Sequence, residues 1–120
     1  MIKKILLVDD SALSRRLMKK ALRQIANLQI IEVSDSLVVL ETFLHESPDL
    51  ILLDLTMEGI NGLELLAKIK ELNPNQKVII ASADIQKATI EEAMQKGAFG
   101  YITKPFNEAE IIQKVESALK

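Results

Sequence analysis

A chain of 120 residues suits one domain, and a content of 48% hydrophobic and 27% charged residues describes a soluble globular protein with a single core. A net charge of −2 argues against broad nucleic-acid binding, and the absence of cysteine excludes disulfides and thiolate metal sites. No apolar stretch approaches the roughly 18 residues needed to cross a bilayer.

Apolar runs of strand length alternate with helical patterns along the chain. Met1-Ile2-Lys3-Lys4-Ile5 places lysines before a short apolar run, but Asp9 and Asp10 interrupt it too soon for a signal peptide. It reads as a first strand over 3–8 in a cytoplasmic protein. A helix is expected over 12–26, with Leu13, Leu17, Ala21, Leu22 and Ile25 as its apolar stripe. Arg15, Arg16, Lys19, Lys20 and Arg23 fill the other face and read first as solvated charge. Further strands are expected over 29–33, 49–54, 77–82 and 100–103, and further helices over 36–46, 63–72, 86–96 and 108–119.

Several local signals support these elements. Gly62 precedes the third helix, where Glu64 and Lys68 have the spacing of a favourable pair. Gly97 stops the fourth helix, and Asn107 with Glu110 resembles a capping box opening the fifth. Met57 and Met94 read as core filler, and His45 as an exposed helix residue. The runs Ile5-Leu6-Leu7-Val8, Leu50-Ile51-Leu52-Leu53 and Val78-Ile79-Ile80-Ala81 are wholly apolar, as central parallel strands are. Glu32, Tyr101 and Thr103 mark the other two strands as edges. The expected fold is α/β: a doubly wound, flavodoxin-like, five-stranded parallel sheet of order 2-1-3-4-5 with five helices.

That order sets the strands carrying Asp9, Asp10 and Asp54 side by side, with the acids at the carboxyl rim. Asp10 or Ser11 alone reads equally as a helix cap. Carboxylates held together repel, however, and a hard dication relieves the conflict. Ser82, at the end of the fourth strand, is either a strand-terminating hydroxyl bonded to backbone or a hydroxyl aimed at an anion on Asp54. Lys104 stands at the same rim, where an ammonium can meet a phosphoryl group, and Pro105 allows a cis bond after it.

These residues together resemble the receiver domains of two-component response regulators. The resemblance rests on "VDDS" after the first strand, "LLDLTMEGINGLELL" around Asp54, "IIASAD" at the fourth strand and "GAFGYITKPF" at the fifth. It covers essentially the whole length and implies one CheY-like receiver domain over 1–120. Asp54 would accept a phosphoryl group. Asp10 and Asp54 would hold Mg²⁺, or Mn²⁺ in its place, with Asp9 joining directly or through water and the backbone carbonyl of Thr56 completing the set. Ser82 would be the switch hydroxyl, Lys104 the phosphate-contacting lysine, and Tyr101 the aromatic that turns inward on activation.

The implied donor is a sensor histidine kinase or a histidine phosphotransfer protein. Helix 1 would dock it, with Leu13 or Met18 as apolar contacts. The helix 4–strand 5–helix 5 face would meet a downstream protein or a second copy on phosphorylation, with no nucleic acid or membrane involved. No output segment follows helix 5 in this sequence, so the expectation is a stand-alone switch or relay carrier that modifies only itself. The alternative is the receiver portion of a longer transcriptional or enzymatic regulator.

One departure is Glu58, where the family usually has proline. It reads as a solvated loop acid or as a further carboxylate near the metal. Thr56 and Asp84 occupy positions that tune hydrolysis in the family. An aspartyl-phosphate phosphatase of the haloacid dehalogenase type would need a D-x-D motif. Neither Asp9-Asp10-Ser11 nor Asp54-Leu55-Thr56 supplies one. A mononucleotide fold would need a glycine-rich loop where Val8-Asp9-Asp10-Ser11 stands. A receiver that binds without phosphorylation is disfavoured by the full set of site residues.

Overall fold

The structure is a computed structural model that describes residues 1–120. Strands β1 (Lys3–Val8), β2 (Leu28–Val33), β3 (Leu50–Leu53), β4 (Val78–Ser82) and β5 (Gly100–Thr103) alternate with helices α1 (Ala12–Leu22), α2 (Val39–Glu46), α3 (Gly62–Leu72), α4 (Lys87–Gln95) and α5 (Glu108–Leu119). All pairings are parallel and the order is β2-β1-β3-β4-β5, as the hydrophobic pattern predicts. The edge strands β2 and β5 carry Glu32, Tyr101 and Thr103, as expected of edges.

Alternate residues of each strand feed opposite faces of the sheet. Leu6, Val8, Ile51, Leu53 and Ile80 pack with Phe43, Leu66, Ile69 and Ala93 beneath α2, α3 and α4. Ile5, Leu7, Leu50, Leu52 and Ile79 pack with Met18, Leu22, Ile111 and Val115 beneath α1 and α5. Burying one such side chain contributes about 1.5–3 kcal/mol, so both layers stabilise the sheet.

Several expectations are corrected. The first helix ends at Leu22 rather than 26: Gln24 and Ile25 N–H donate to the i−3 carbonyls of Ala21 and Leu22, at 3.1 and 3.0 Å, and Asn27 in a left-handed conformation (φ 62°) then turns the chain into β2. Its buried stripe contains Met18, Ala21 and Leu22, with Ile25 half-buried beyond the helix end, while Leu13 and Leu17 are exposed. Met18 therefore serves the core and is no docking contact. The second helix starts at Val39, after a 3₁₀ turn over Ser36–Val38 whose Leu37 N–H the Asp35 side chain accepts. Gly62 lies inside α3, and Asn61 is the cap. A Cβ on Gly62 would stand 2.5 Å from Leu55 Cα, so close backbone approach requires glycine there. Lys68 pairs with Glu71 at 3.8 Å rather than with Glu64. Met94 is exposed and Met57 is buried, so only the latter fills the core. Asn107 caps α5 by accepting from the Glu110 N–H at 3.1 Å.

The amino-terminal rim of the sheet is closed by lysines on carbonyl oxygens near helix ends. Lys4 Nζ donates to Glu46 O at 3.0 Å and Lys77 Nζ to Ala118 O at 2.8 Å. Lys70 Nζ donates to Pro74 O at 2.8 Å and to Gln76 O at 2.7 Å. The ammoniums of Lys4 and Lys77 offset the negative ends of α2 and α5, while Lys70 braces the loop after α3.

Candidate functional site

The opposite rim carries the acids. Val8 and Leu53 are register partners in the β1–β3 pair, so Asp9 and Asp54 emerge beside each other. The ladder extends one step past the strands: Asp54 N–H donates to Val8 O at 2.9 Å, and Asp9 N–H to Val33 O at 3.1 Å. Asp9 and Asp54 are buried, while Asp10 is exposed. One carboxylate oxygen from each of Asp9, Asp10 and Asp54 lies within 4.8 Å of the others.

Lys104 reaches this cluster from the end of β5. Its Nζ lies 3.0 Å from Asp9 Oδ2 and 3.3 Å from Asp54 Oδ2. The Lys104–Pro105 peptide is cis. Burial works to lower the lysine's pKa, but its hydrogen bond to Asp9 and the charges of Asp54 and Asp9 outweigh this and hold it above 10.5. Burial pushes the Asp9 carboxyl above its usual 3.8 even though the Ser11 N–H and Lys104 pull it down. The site therefore holds negative charge at a cost that one ammonium only partly offsets.

The remaining polar atoms are tied to the rim. Asp54 Oδ1 accepts from Thr56 N–H at 3.1 Å and from Thr56 Oγ1 at 3.0 Å. Asp9 Oδ1 accepts from Ser11 N–H at 2.9 Å, while the Ser11 hydroxyl caps α1 by accepting from Ser14 N–H. Asp10 Oδ2 accepts only a long bond, 3.4 Å, from Glu58 N–H. Proline at 58 would lack that donor. The Glu58 residue is exposed, and Ser36 Oγ donates to its carbonyl at 3.1 Å. His45 lies exposed in α2.

Ser82 and Tyr101 meet at Asp84. Ser82 is fully buried, and its Oγ accepts the Asp84 N–H at 3.1 Å; no bond joins it to Asp54. Tyr101 is turned inward, 9% exposed, with its hydroxyl donating to Asp84 O at 2.6 Å. Burial raises the phenol above its ordinary 10.0. The structure thus gathers Asp9, Asp10, Asp54 and Lys104 at one point, with Thr56 on Asp54 and Ser82 and Tyr101 joined through Asp84.

Sequence reasoning missed two contacts. The Thr56 side chain and N–H bind Asp54, a turn that the D-x-T spacing signals. Arg15 Nη1 donates to Asp9 O at 2.8 Å, which helical periodicity gives no means to see. The oxygen-only donor set suits a small hard dication. Asp9, Asp10 and Asp54 are the residues that would hold it.

A five-stranded parallel α/β sheet with an acid cluster and a lysine at its switch-point rim places the chain among the doubly wound, CheY-like domains that build their site at that rim. The response regulator receiver domain family matches residues 5–116, and the chain belongs to that family. It is 33% identical over 117 residues to the chemotaxis protein CheY of Listeria monocytogenes, covering 98% of both chains. It is 37% identical over 112 residues to the DNA-binding transcriptional regulator NtrC of Escherichia coli, covering 93% of this chain but 24% of that protein. Among solved structures, the response regulator domain of Thermotoga maritima CheB superposes with a TM-score of 0.87 at 28% identity, covering 99% of this chain and 97% of that chain. Receiver domains act in two-component signalling with kinases and downstream targets, and bind Mg²⁺ at an acidic aspartate cluster such as the one present here.

Proposed function

We propose that the chain is a single receiver domain over 1–120 that works as a phosphorylation-activated switch in the cytoplasm. It would take a phosphoryl group from a histidine kinase or histidine phosphotransfer protein onto Asp54. The observation that carries this reading is the burial of Asp54 at the end of β3, 3.3 Å from Lys104 Nζ and grouped with Asp9 and Asp10.

In this reading an Asp54 oxygen attacks phosphorus in line, and the bond from phosphorus to the donor imidazole nitrogen breaks. Lys104 contacts the incoming phosphoryl oxygens and offsets the repulsion between anionic nucleophile and anionic donor. Asp10 and Asp54 would hold Mg²⁺ with the Thr56 carbonyl, with Asp9 supporting them, and the bound ion would supply further charge neutralisation. Mn²⁺ would serve in its place. Outside this reaction and the hydrolysis that reverses it, the chain is no enzyme.

The acyl phosphate would carry about −1.5 to −2 of charge beside Ser82 and Lys104 in place of the carboxylate's −1, so the site gains at most about one negative charge. Ser82 would leave the Asp84 N–H, donate its hydroxyl to a phosphoryl oxygen and so move the β4–α4 turn. Tyr101, already inward and bonded to Asp84 O, would be fixed there, so the turn and the ring move as one element. The α4–β5–α5 face would carry the change to a protein target or a second copy. The exposed Leu13 and Leu17 on α1, among Arg16 and Lys20, supply the donor's docking face beside the acids. The resemblance to CheY suits a switch that acts through protein contacts. The match to NtrC keeps a second reading: the receiver of a longer regulator.

Incubation with Mg²⁺ and acetyl phosphate, read by mass spectrometry, tests the proposal. The expected result is one added phosphoryl group, absent in Asp54→Asn. Failure of both acetyl phosphate and a range of phosphohistidine donors to label Asp54 would sink the switch reading.

A further inference from the structure

Arg15 breaks from the solvated basic face of α1. Its Nη1 donates to the carbonyl oxygen of Asp9 at 2.8 Å, and its Nε donates to Glu32 Oε1 at 3.1 Å. Its side chain is 18% exposed, so this is no free surface arginine. Lys19 Nζ takes the other Glu32 oxygen at 3.0 Å. The guanidinium is thereby strung between the edge strand β2 and the turn that carries the acids.

The carbonyl of Asp9 and the N–H of Asp10 lie in one rigid peptide plane. A donor that holds the first therefore orients the second, and with it the direction in which the Asp10 side chain leaves the backbone. Asp9 is held at every polar atom: N–H by Val33 O, Oδ1 by Ser11, Oδ2 by Lys104, and carbonyl by Arg15. Asp10 is different. It is exposed, and its carboxylate has only the long contact with Glu58 N–H. Its aim rests on its backbone, and the fixed point of that backbone is the peptide Arg15 clamps.

We propose that Arg15 is a positioning residue: by clamping the Asp9–Asp10 peptide to Glu32 it aims the Asp10 carboxylate at the cation site. This rests on the reading of Asp10 as a metal-holding acid. Coulomb's law alone gives the opposite sign, because a nearby guanidinium repels a dication and its removal would tighten cation binding. Lysine keeps the charge but lacks the planar fork that serves Asp9 and Glu32 together. Lys19 supplies the control, since it shares Glu32 without touching the acid turn.

The test compares Arg15→Lys, Arg15→Ala and Lys19→Ala with the wild-type chain. Mn²⁺ is titrated and the free ion counted by electron paramagnetic resonance. Both Arg15 variants are expected to bind Mn²⁺ about tenfold or more weakly, the range for lost support of a metal ligand. Lys19→Ala should stay within about twofold, as an exposed ion pair predicts. Tighter binding in Arg15→Ala with wild-type binding in Arg15→Lys would show a charge effect alone and overturn the proposal. A second readout needs no metal. The Asp10 and Ser11 amide resonances of the metal-free protein should shift in both Arg15 variants and stay in place in Lys19→Ala. An unmoved Asp10 amide in Arg15→Ala overturns the clamp. Wild-type protein that takes up no Mn²⁺ sinks the metal reading of the acids, a separate result.

Discussion

Asp9 and Asp54 are buried carboxylates that share the ammonium of Lys104. Lys104→Ala removes that cation and leaves both charges in place. Breaking such a pair costs about 3–5 kcal/mol for full burial, and the lysine's partial exposure reduces this to about 2–3 kcal/mol. A dication at the same oxygens would replace the lost charge. Urea unfolding of Lys104→Ala in chelator should therefore show a large loss of stability, with Mg²⁺ restoring more of it than it adds to the wild type. An equal response to Mg²⁺ in both proteins would separate the lysine from the cation site. The site acids were legible in the sequence because each follows an apolar run, and the end of a buried strand fixes a residue at the rim. Arg15 was not legible, since helical spacing gives a face and never an acceptor. The inward placement of Tyr101 depends on where the Asp84 carbonyl points, which no pattern of residue types records.

At the scale of elements, α1 is tied to β2 by Glu32, which meets Arg15 Nε at 3.1 Å and Lys19 Nζ at 3.0 Å. The hydrogen bond from Lys19 leads the causes that hold its carboxyl below the usual 4.5. A folded-state value lowered in this way stabilises the fold above pH 4.5, and that contribution fades as pH falls through the folded value. The Glu32 side chain is 37% exposed, so solvent screening limits the effect to about 0.5 kcal/mol. Glu32→Gln should accordingly flatten the fall in stability as the pH drops from about 4.5 through the lowered folded-state value, while leaving stability at still lower pH unchanged. A slope identical to wild type would show that the pair carries no linkage. Helix existence followed from periodicity, but helix ends did not. The i−3 bonds of Gln24 and Ile25 close α1, and the Asp35-capped 3₁₀ turn over Ser36–Val38 delays α2 to Val39; both act through local backbone geometry. The α1 stripe shifted for a related reason: Leu13 and Leu17 lie on a neighbouring stripe to Met18 and Leu22, and composition alone did not say which one faces the sheet.

For the whole molecule, strand order was the best-read property, because three apolar runs and two mixed ones admit few parallel arrangements. The two rims of that sheet differ in kind. At one, Lys4, Lys70 and Lys77 are fastened to carbonyl oxygens at chain turns and helix ends. At the other, loops end in acids that oppose one another. Local opening follows the weakest ties, so amide protons in the 54–62 and 82–87 loops should exchange with deuterium well before those near the lysine-held turns. The chain is in this sense a hinged vessel with a riveted base: a change of charge at the acid rim would be met by its loops, while the lysine-fastened rim stays in place.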